Sequence, residues 1–421
     1  MVTLNPTDLE AVQRHTVRVL IVSQAVGALG MTIGFATAAL LARDISGSDT
    51  QSGFVQTSQV LGAAVASYLL ARLMSRRGRR AGLVTGYLIG AAGSMLAVAG
   101  GVAESMTLLL LGAALLGATS AANNSSRYAA TDLADEHSRA RALSIVVWAS
   151  TIGAVAGPNL TGFGVWTARQ LSLPELTGPF AVGTVGILAA GLVLFVALRP
   201  DPLQLARQAA DVPVVSHTSW KKALTVVRER PQLVAAMVVV AGAHAAMIMV
   251  MVMTPLHMAH GGADLEIIGV VISVHVLGMF AFAPVAGIVT DRVGRAPAAM
   301  AGATLLLVAL VVASASPDGT SWQVFVGLFL LGLGWSFSTV AGSTMITDNA
   351  PLDSRADIQG LSDLVMGLAA AGASALSGMI VDAWGFNVLA LIACVLPTAV
   401  GVAAYSAARQ AKPVASDAPS M

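Results

Sequence analysis

Long apolar runs separated by short polar turns follow one another along the chain from residue 17 to residue 408. A helix needs about 20 apolar residues to cross the hydrocarbon core of a bilayer. The pattern therefore predicts an all-α membrane protein with twelve transmembrane helices, at residues 17–41, 54–74, 81–102, 106–130, 141–165, 178–198, 233–258, 265–289, 296–315, 321–347, 358–381 and 385–408.

One polar interruption, residues 199–232, is much longer than the turns and rich in Lys and Arg. It predicts an N-terminal six-helix bundle at residues 1–198, a cytoplasmic linker at 199–232 and a C-terminal six-helix bundle at 233–421. Nearly all other Lys and Arg residues fall in the two terminal segments and in every second turn. Because cytoplasmic loops carry an excess of these residues, we expect a multi-pass protein of the plasma (inner) membrane with both termini cytoplasmic.

Composition agrees with this class. Hydrophobic residues make up 56% of the chain and charged residues only 11%, against about 25% charged residues in soluble proteins. A net charge of +1 suggests no nucleic-acid partner, and the single cysteine, Cys394, excludes a thiolate metal cluster. With no phosphate-binding loop and no catalytic constellation in the sequence, we expect neither ATP-driven transport nor an enzyme, but a monomer whose partner is the lipid bilayer.

The two halves repeat one another at an offset of 216 residues. Such a gapless match indicates duplication and two bundles related by a pseudo-two-fold axis. The matched positions are Ala71 with Gly287, Ser75 with Asp291, Arg76 with Arg292, Gly78 with Gly294, Arg79 with Arg295, Asp132 with Asp348, Arg139 with Arg355, Gly162 with Gly378 and Met31 with Met247.

The loop after the eighth span reads GIVTDRVGR at residues 287–295 and resembles the G-x-x-x-D-R-x-G-R signature of the major facilitator superfamily. The resemblance covers nearly the whole chain and implies that superfamily's fold, in which these charges latch neighbouring helices at the cytoplasmic face. Glycine permits a tight turn. The residues expected to act in gating are Gly287, Asp291, Arg292, Gly294 and Arg295. The first-half copy has Ser75 in place of the aspartate, which leaves the corresponding contact open.

The fifth span contains GAVAGPNLTG at residues 153–162, which is similar to the helix 5 motif common in the superfamily's antiporters. Gly157 and Pro158 should bend this helix and pack it closely. A generic packing bend explains the same residues, and both interpretations stay open. The arginine usual early in helix 4 is absent, which weakens the case for a proton-coupled drug exporter.

Methionine and histidine cluster in the seventh and eighth spans. Ionisable groups inside a membrane are costly and are functional by default, and imidazole and thioether are soft ligands that suit Cu(I). Residues four apart share a helix face. That spacing gives three stripes, which are His244, Met247 and Met251; Met249, Met253 and His257; and His275 with Met279.

Depth favours one combination of these residues. The two spans are antiparallel around a turn near residues 261–262, so His244 lies level with Met279, and Met247 with His275. Met-x-x-x-Met at 247–251 with His-x-x-x-Met at 275–279 resembles the paired motif of the CcoA-like copper importers, a branch of the superfamily. The resemblance implies that the copper ligands are Met247, Met251, His275 and Met279.

The other members of the stripes rank second, as secondary metal ligands or relay groups: His244, Met249, Met253 and His257. Methionine fills apolar cores, so we expect Met249 and Met253 to pack rather than to bind metal. His257 and His260 lie near the outer surface, where the alternatives are an entry relay and solvated turn residues, and we expect the latter.

Three further polar residues are candidate coupling groups: Arg127, Asp132 and Asp363. Arg127 lies near the inner end of the fourth span, either as a functional charge or as a side chain that snorkels to the surface. Asp363 lies about one turn inside the eleventh span, where it either faces the inner gate or caps polar backbone.

These patterns predict a secondary transporter that imports Cu(I) by alternating access, with copper as the substrate and no prosthetic group. A cytoplasmic copper chaperone would be the receiving partner. Import rests on the resemblance alone. The alternative is a proton-coupled exporter of drugs or small metabolites, in which the Met-rich surface is a promiscuous apolar pocket. A transporter-like sensor that moves nothing is a third class.

Overall fold

A computed structural model describes residues 6–47, 49–212 and 220–410 of the chain. The regular structure of these residues is entirely helical, as the apolar runs predict. The α-helices are α1 (Pro6–Ser46), α2 (Asp49–Arg77), α3 (Arg79–Val102), α4 (Met106–Ala129), α5 (Arg139–Asn159), α6 (Thr161–Gln170), α7 (Gly178–Ala197), α8 (Pro202–Ala209), α9 (Trp220–Glu229), α10 (Pro231–Met251), α11 (Thr254–His260), α12 (Leu265–Phe280), α13 (Ala283–Val293), α14 (Arg295–Ser314), α15 (Trp322–Asn349), α16 (Arg355–Ala393) and α17 (Val395–Gln410).

The described helices provide twelve crossings, in agreement with the twelve predicted spans. Eleven helical stretches are long and apolar enough to span a membrane. The last, Arg355–Gln410, has 56 residues, about 84 Å of helix at 1.5 Å per residue. That length exceeds twice the hydrocarbon thickness of a bilayer. Gly385 interrupts it with φ 82° and ψ 170°, so the stretch accounts for two crossings.

Four crossings are broken next to a proline, which cannot donate the backbone hydrogen bond that continues a helix. In the twelfth, α16 ends at Ala393 and Pro397 lies in the first turn of α17. The fifth divides into α5 and α6 beside Pro158, whose side chain lies outside the described residues. The seventh divides into α10 and α11, with Pro255 in the first turn of α11, and the eighth into α12 and α13, with Pro284 in the first turn of α13. The fifth span is therefore interrupted next to Pro158, where the sequence predicts a bend.

Helices α1–α7 and α10–α17 form two bundles, each around its own apolar core. The bundles meet where α2 packs on α16 and α5 packs on α13. Between them, the hydroxyl oxygens of Thr131 and Thr347 lie 3.5 Å apart. These two residues are separated by the 216-residue offset of the repeat. A residue can touch its own counterpart only beside the symmetry axis, so the pseudo-two-fold axis passes between them.

The two ends of the molecule differ. We call the end that carries both chain termini and the linker helices α8 and α9 the terminal face, and the opposite end the distal face. At the terminal face, Gly360 of α16 lies so close to Ala71 of α2 that no side chain would fit. Farther along α16, Ala371 and Ser374 line open space instead. The bundles are therefore in close contact at the terminal face and separate towards the distal face.

Candidate functional site

A cavity of about 460 Å³ lies between the two bundles. It extends from Asp363 towards the distal face, and both bundles contribute to its wall. The polar and sulfur-containing residues of the wall are Met31, Gln56, Thr57, Gln59, Ser67, Ser120, Asn124, His244, Asp363, Met366 and Ser374. The cavity thus lies where a rocking pair of bundles would hold a cargo, at their interface near mid-depth.

His244 presents a hydrogen-bond donor to this cavity. The indole Nε1–H of Trp335 donates to Nδ1 of His244 at 2.9 Å, and an indole nitrogen can only donate. Nδ1 must therefore offer its lone pair to Trp335, which places the proton of the neutral ring on Nε2. While this bond lasts, the ring can neither take up a second proton nor offer a lone pair to a metal.

Arg127 and Asp363, two of the candidate coupling groups, form an ion pair between the bundles at the terminal end of the cavity. Arg127 Nη2 lies 2.6 Å from Asp363 Oδ1, and the two side chains are only 5% and 1% exposed. Arg127 therefore does not snorkel to the surface. Asp363 Oδ2 has no hydrogen-bond partner among the described residues. Asp132, the third candidate, lies apart and pairs with Arg79 at 2.7 Å.

The four predicted copper ligands are absent from the cavity wall. Met247 is buried in the core of the C-terminal bundle, and Met251 and Met279 are partly buried against the same core. Met249 and Met253 also pack there. Helices α10 and α12 pack on α15 rather than chiefly on each other, so the two methionine-bearing faces are not joined along a common helix interface.

His275, the fourth of these residues, is fully buried and keeps one ring nitrogen free among the described residues. Its Nδ1 lies 2.8 Å from the carbonyl oxygen of Leu328. A carbonyl only accepts, so Nδ1 carries the proton. Nε2 then carries a lone pair, for which the described residues supply no partner. A metal-ligating histidine commonly donates its other N–H to a backbone carbonyl in this way.

His257 is not the solvated turn residue that we expected. Its side chain is 2% exposed and stacks on Phe386 with ring centroids 4.1 Å apart. Nε2 lies 2.9 Å from Ser316 Oγ, and Nδ1 lies 3.2 Å from Asp318 Oδ1. The expectation was wrong because the turn between α14 and α15 supplies a partner for each ring nitrogen, which a reading of the seventh span alone does not reveal. His260, by contrast, is exposed.

The charged residues of the second-half loop, which we expect to act in gating, contact the other bundle. Asp291 accepts hydrogen bonds from the backbone N–H groups of residues 140 and 141, at 3.1 Å and 3.0 Å, at the start of α5. Arg295 pairs with Asp348 at 2.9 Å. Asp348 in turn binds Arg139 of the other bundle at 2.7 Å. These contacts hold the bundles together at the terminal face.

Among the remaining motif residues, one glycine turns the chain, two glycines allow close helix packing and one arginine is exposed. Gly294 has φ 108°, a conformation that L side chains rarely adopt, and it turns the chain between α13 and α14. Gly287 approaches α5 so closely that a side chain would not fit. Arg292 is exposed. Gly157 packs on Thr32 of α1 within its own bundle, so it serves helix packing rather than the contact between bundles.

The first-half loop also contacts the other bundle, but here the acidic residue lies on the facing helix and not on the loop. Ser75 donates a hydrogen bond to Asp357 of α16 at 3.0 Å. In the second half, Asp291 supplies the acid from the loop; here the acid lies on the opposite helix. Beside this contact, Arg79 donates to Gln359 at 2.6 Å. The first-half contact that the sequence left open therefore exists between the bundles.

The linker supplies a further contact that sequence reasoning missed. Arg207 of α8 is buried and donates to the carbonyl oxygen of Ser75 at 2.6 Å and to that of Asp353 at 3.3 Å. It thereby joins the two bundles. From α9, Lys222 binds the Asp353 carboxylate at 2.7 Å. Burial raises the pKa of Asp353, but hydrogen bonds from Lys222 and Ser354 outweigh that effect and hold the pKa below its usual value.

Comparison with known proteins agrees with this architecture. The family model of the Major Facilitator Superfamily matches residues 20–264 and 237–420. The chain is 36% identical over 402 residues to the uncharacterized MFS-type transporter YdeG of Bacillus subtilis (strain 168), covering 93% of this chain and 91% of YdeG. It is 28% identical over 384 residues to the riboflavin transporter RfnT of Brucella anthropi, covering 91% and 93%. The human organic anion transporter MFSD10 shares the fold, with TM-score 0.73 and 16% identity over 94% of this chain and 99% of that one.

Proposed function

The chain belongs to the Major Facilitator Superfamily and is a secondary transporter, not an enzyme, and from that premise we propose that its cargo is a small, uncharged organic molecule bound in the central cavity. The observation that carries the proposal is the donor Nε2–H of His244, fixed in place by Trp335 and lining the cavity. Such a donor recognises a carbonyl oxygen or a ring nitrogen of a cargo.

The size of the cavity supports an organic cargo. Its volume of about 460 Å³ falls within the range of roughly 300–1,000 Å³ that is usual for small-molecule sites. One water occupies about 30 Å³ in the liquid, so the cavity is many times larger than a bare ion requires. In alternating access, the two bundles would then close around a small organic molecule.

The polarity of the wall supports an uncharged cargo. The side-chain amides of Gln56, Gln59 and Asn124 offer both donors and acceptors. Among the described lining residues Asp363 is the one acidic side chain, and Arg127 neutralises it. A charged cargo would find no free counter-charge there. Riboflavin is the first molecule to test, because the relative RfnT carries the name riboflavin transporter. Riboflavin is neutral and rich in ring nitrogens and carbonyls.

We propose that protons drive this transport through Asp363. Protonation of the carboxylate would end its ion pair with Arg127 and so loosen the two bundles where they meet. The titratable and charged groups around it are Arg127 and Tyr128 on α4, Arg79 at the start of α3 and His244 on α10. The direction of net transport then follows from the proton and cargo gradients.

The test is uptake of radiolabelled riboflavin into proteoliposomes that contain the full chain, with and without an imposed pH gradient. Loss of one neutral hydrogen bond costs about 1 kcal/mol, so His244→Phe should raise KM about fivefold. The exposed His260→Phe is the matched control and should behave as wild type. Wild-type vesicles that accumulate no more riboflavin or related flavin than empty vesicles would contradict a flavin cargo. Unchanged KM in His244→Phe for any cargo found would contradict the site.

Cu(I) is the second candidate cargo, and one observation favours it: the free Nε2 lone pair of buried His275. Met247, Met251 and Met279 would have to turn towards it during the transport cycle. Metal and proton compete for imidazole, so copper binding should weaken on acidification. Radioactive copper uptake in cells should fall to background in His275→Ala and in Met251→Leu but not in His260→Ala. Undiminished uptake in His275→Ala and Met251→Leu would count against this site. Background uptake in wild type as well would remove copper, and with it the expected chaperone.

We also propose that the terminal face is cytoplasmic and that the protein lies in the plasma (inner) membrane as a monomer. The Arg and Lys residues of the terminal segments, the linker and the gate loops support this orientation, because cytoplasmic loops carry the excess of positive charge. Alkaline phosphatase fused after the last residue should be inactive, and a fluorescent protein fused there should fluoresce. The reverse result would overturn the orientation.

A further inference from the structure

A second pocket lies at the terminal face, outside the central cavity and away from the contact between the bundles. Its volume is about 590 Å³. It is formed by α2, α3, the end of α7 and the start of the linker. Its residues are Leu73, Arg77, Arg80, Ala81, Val84, Thr85, Phe195, Arg199, Pro200, Asp201 and Gln204. Three arginines thus share one pocket with apolar side chains.

The described residues leave this pocket with a net positive charge, because three arginines face one acid, Asp201. The Asp201 carboxylate is bonded to backbone N–H groups and not to an arginine side chain. Oδ2 accepts from the backbone of Arg80 at 2.8 Å, and Oδ1 accepts from the backbone of residues 203 and 204 at 3.1 Å each. None of Arg77, Arg80 and Arg199 forms an ion pair with a carboxylate of the described residues.

The apolar side of the pocket continues into the outer surface of the bundle. Phe195 is 49% exposed, and its neighbours Leu192 and Val196 on α7 are each 61% exposed. In a membrane protein, such side chains face lipid. The guanidinium carbons of Arg80 and Arg199 each lie 5.7 Å from the Phe195 ring centroid, within cation–π distance. The aromatic ring therefore holds two cationic groups at the boundary between the lipid-facing surface and the terminal face.

We propose that this pocket binds the phosphodiester headgroup of an anionic phospholipid, with the acyl chains lying along α7. Guanidinium groups match phosphate oxygens in charge and in bidentate geometry. Basic pockets between transmembrane helices at the cytoplasmic side are suited to such headgroups. A free phosphate ion would use the arginines but not the exposed apolar side of α7, which is why the lipid is the better match. The proposal does not depend on which cargo the central cavity carries.

Native mass spectrometry of the purified full chain in detergent tests this site, with phosphatidylglycerol and phosphatidylcholine added in turn. Wild type should bind phosphatidylglycerol more tightly. Because each basic residue near an anionic lipid is worth about fivefold in affinity, the triple change Arg77→Gln, Arg80→Gln and Arg199→Gln should weaken that binding by roughly a hundredfold. The triple lysine variant should retain most of it.

The matched control replaces three exposed arginines elsewhere, Arg18, Arg228 and Arg409, with glutamine and should bind as wild type. Equal binding of the two lipids to wild type would overturn the proposal, as would a pocket variant that binds like the control. Displacement of phosphatidylglycerol by an equal concentration of inorganic phosphate would show a site for the free anion and would also overturn it. Circular dichroism and thermal unfolding of each variant establish that the fold is retained.

Discussion

His244 can donate into the cavity only because Trp335 holds its other ring nitrogen. Trp335→Phe removes that restraint and leaves the ring free to change tautomer or to take up a proton. We therefore expect KM for the cargo to rise about fivefold in Trp335→Phe, the equivalent of one neutral hydrogen bond.

The measurement is KM for cargo uptake at zero pH gradient, so that the driving force is the same for every variant. Phe282→Leu, which changes an aromatic side chain outside the cavity wall, is the control. A wild-type KM in Trp335→Phe would show that the indole does not fix the tautomer of His244.

The pair Arg127–Asp363 is buried between the bundles, so its two members are coupled in stability as well as in transport. Removal of one partner leaves an uncompensated buried charge, at a cost of about 3–5 kcal/mol. Asp363→Asn should therefore lower the thermal unfolding midpoint sharply. The double variant Arg127→Gln, Asp363→Asn carries no net charge and should recover most of that loss.

Transport measurements on these variants distinguish an effect on proton coupling from an effect on stability. The double variant should exchange cargo in counterflow but should no longer accumulate it against a gradient when a pH difference is applied. Accumulation driven by pH in the double variant would mean that another group carries the proton.

At this scale, the sequence points to polar groups inside the membrane but not to their partners. Arg127 and Asp363 stand out because charges in a membrane are rare, yet 236 residues separate them and no local pattern pairs them. His244 ranked below Met247 because helical periodicity groups residues into stripes without stating which stripe faces a cavity. The structure turns His244 to the cavity and Met247 to the core.

At the scale of elements, the linker helix α8 joins the two bundles at the terminal face. Arg207 bonds to carbonyl oxygens of both bundles, and these bonds can persist only while the terminal face is closed. Arg207→Ala should favour opening of that face. With Cys394 replaced by alanine and Thr347→Cys as a buried reporter, the rate of maleimide labelling from the terminal side should rise severalfold.

Gln208→Ala is the control, since Gln208 is exposed on the same helix and should leave the labelling rate unchanged. Equal labelling rates in Arg207→Ala and Gln208→Ala would show that α8 does not restrain the bundles.

Elements differed in how far the sequence predicted them. The crossings were predictable because each must supply about 20 apolar residues, a constraint visible in any window. Helices α8 and α9 were not, because they are short and polar enough to resemble ordinary linker. The signal for α8 was Asp201 followed by Pro202, since Asp caps a helix start and Pro suits its first position. The contacts of Arg207 could not be predicted from the linker sequence, because its partners lie in both bundles.

At the scale of the whole molecule, the structure is closed at the terminal face and holds its cavity open towards the distal face. Transport requires the opposite arrangement as well, so the contact between Thr131 and Thr347 must open during the cycle. In a Cys394→Ala background, Thr131→Cys with Thr347→Cys should form a disulfide on mild oxidation. Uptake should then stop and should return when the disulfide is reduced.

Each single cysteine variant is a control and should keep its activity under the oxidant. Full activity of the oxidised double variant, with the disulfide verified by mass spectrometry, would mean that the terminal face does not part at the axis.

The contact between Thr131 and Thr347 also bears on how a repeated chain differs from a dimer. In a dimer of two identical halves, this threonine would meet itself across the axis, and every substitution would alter both contacts between the bundles at once. Two halves in one chain are free of that constraint. The contact of Ser75 with Asp357 beside that of Asp291 with Arg141 is a consequence, since no homodimer can place the acid on the loop in one copy and on the facing helix in the other.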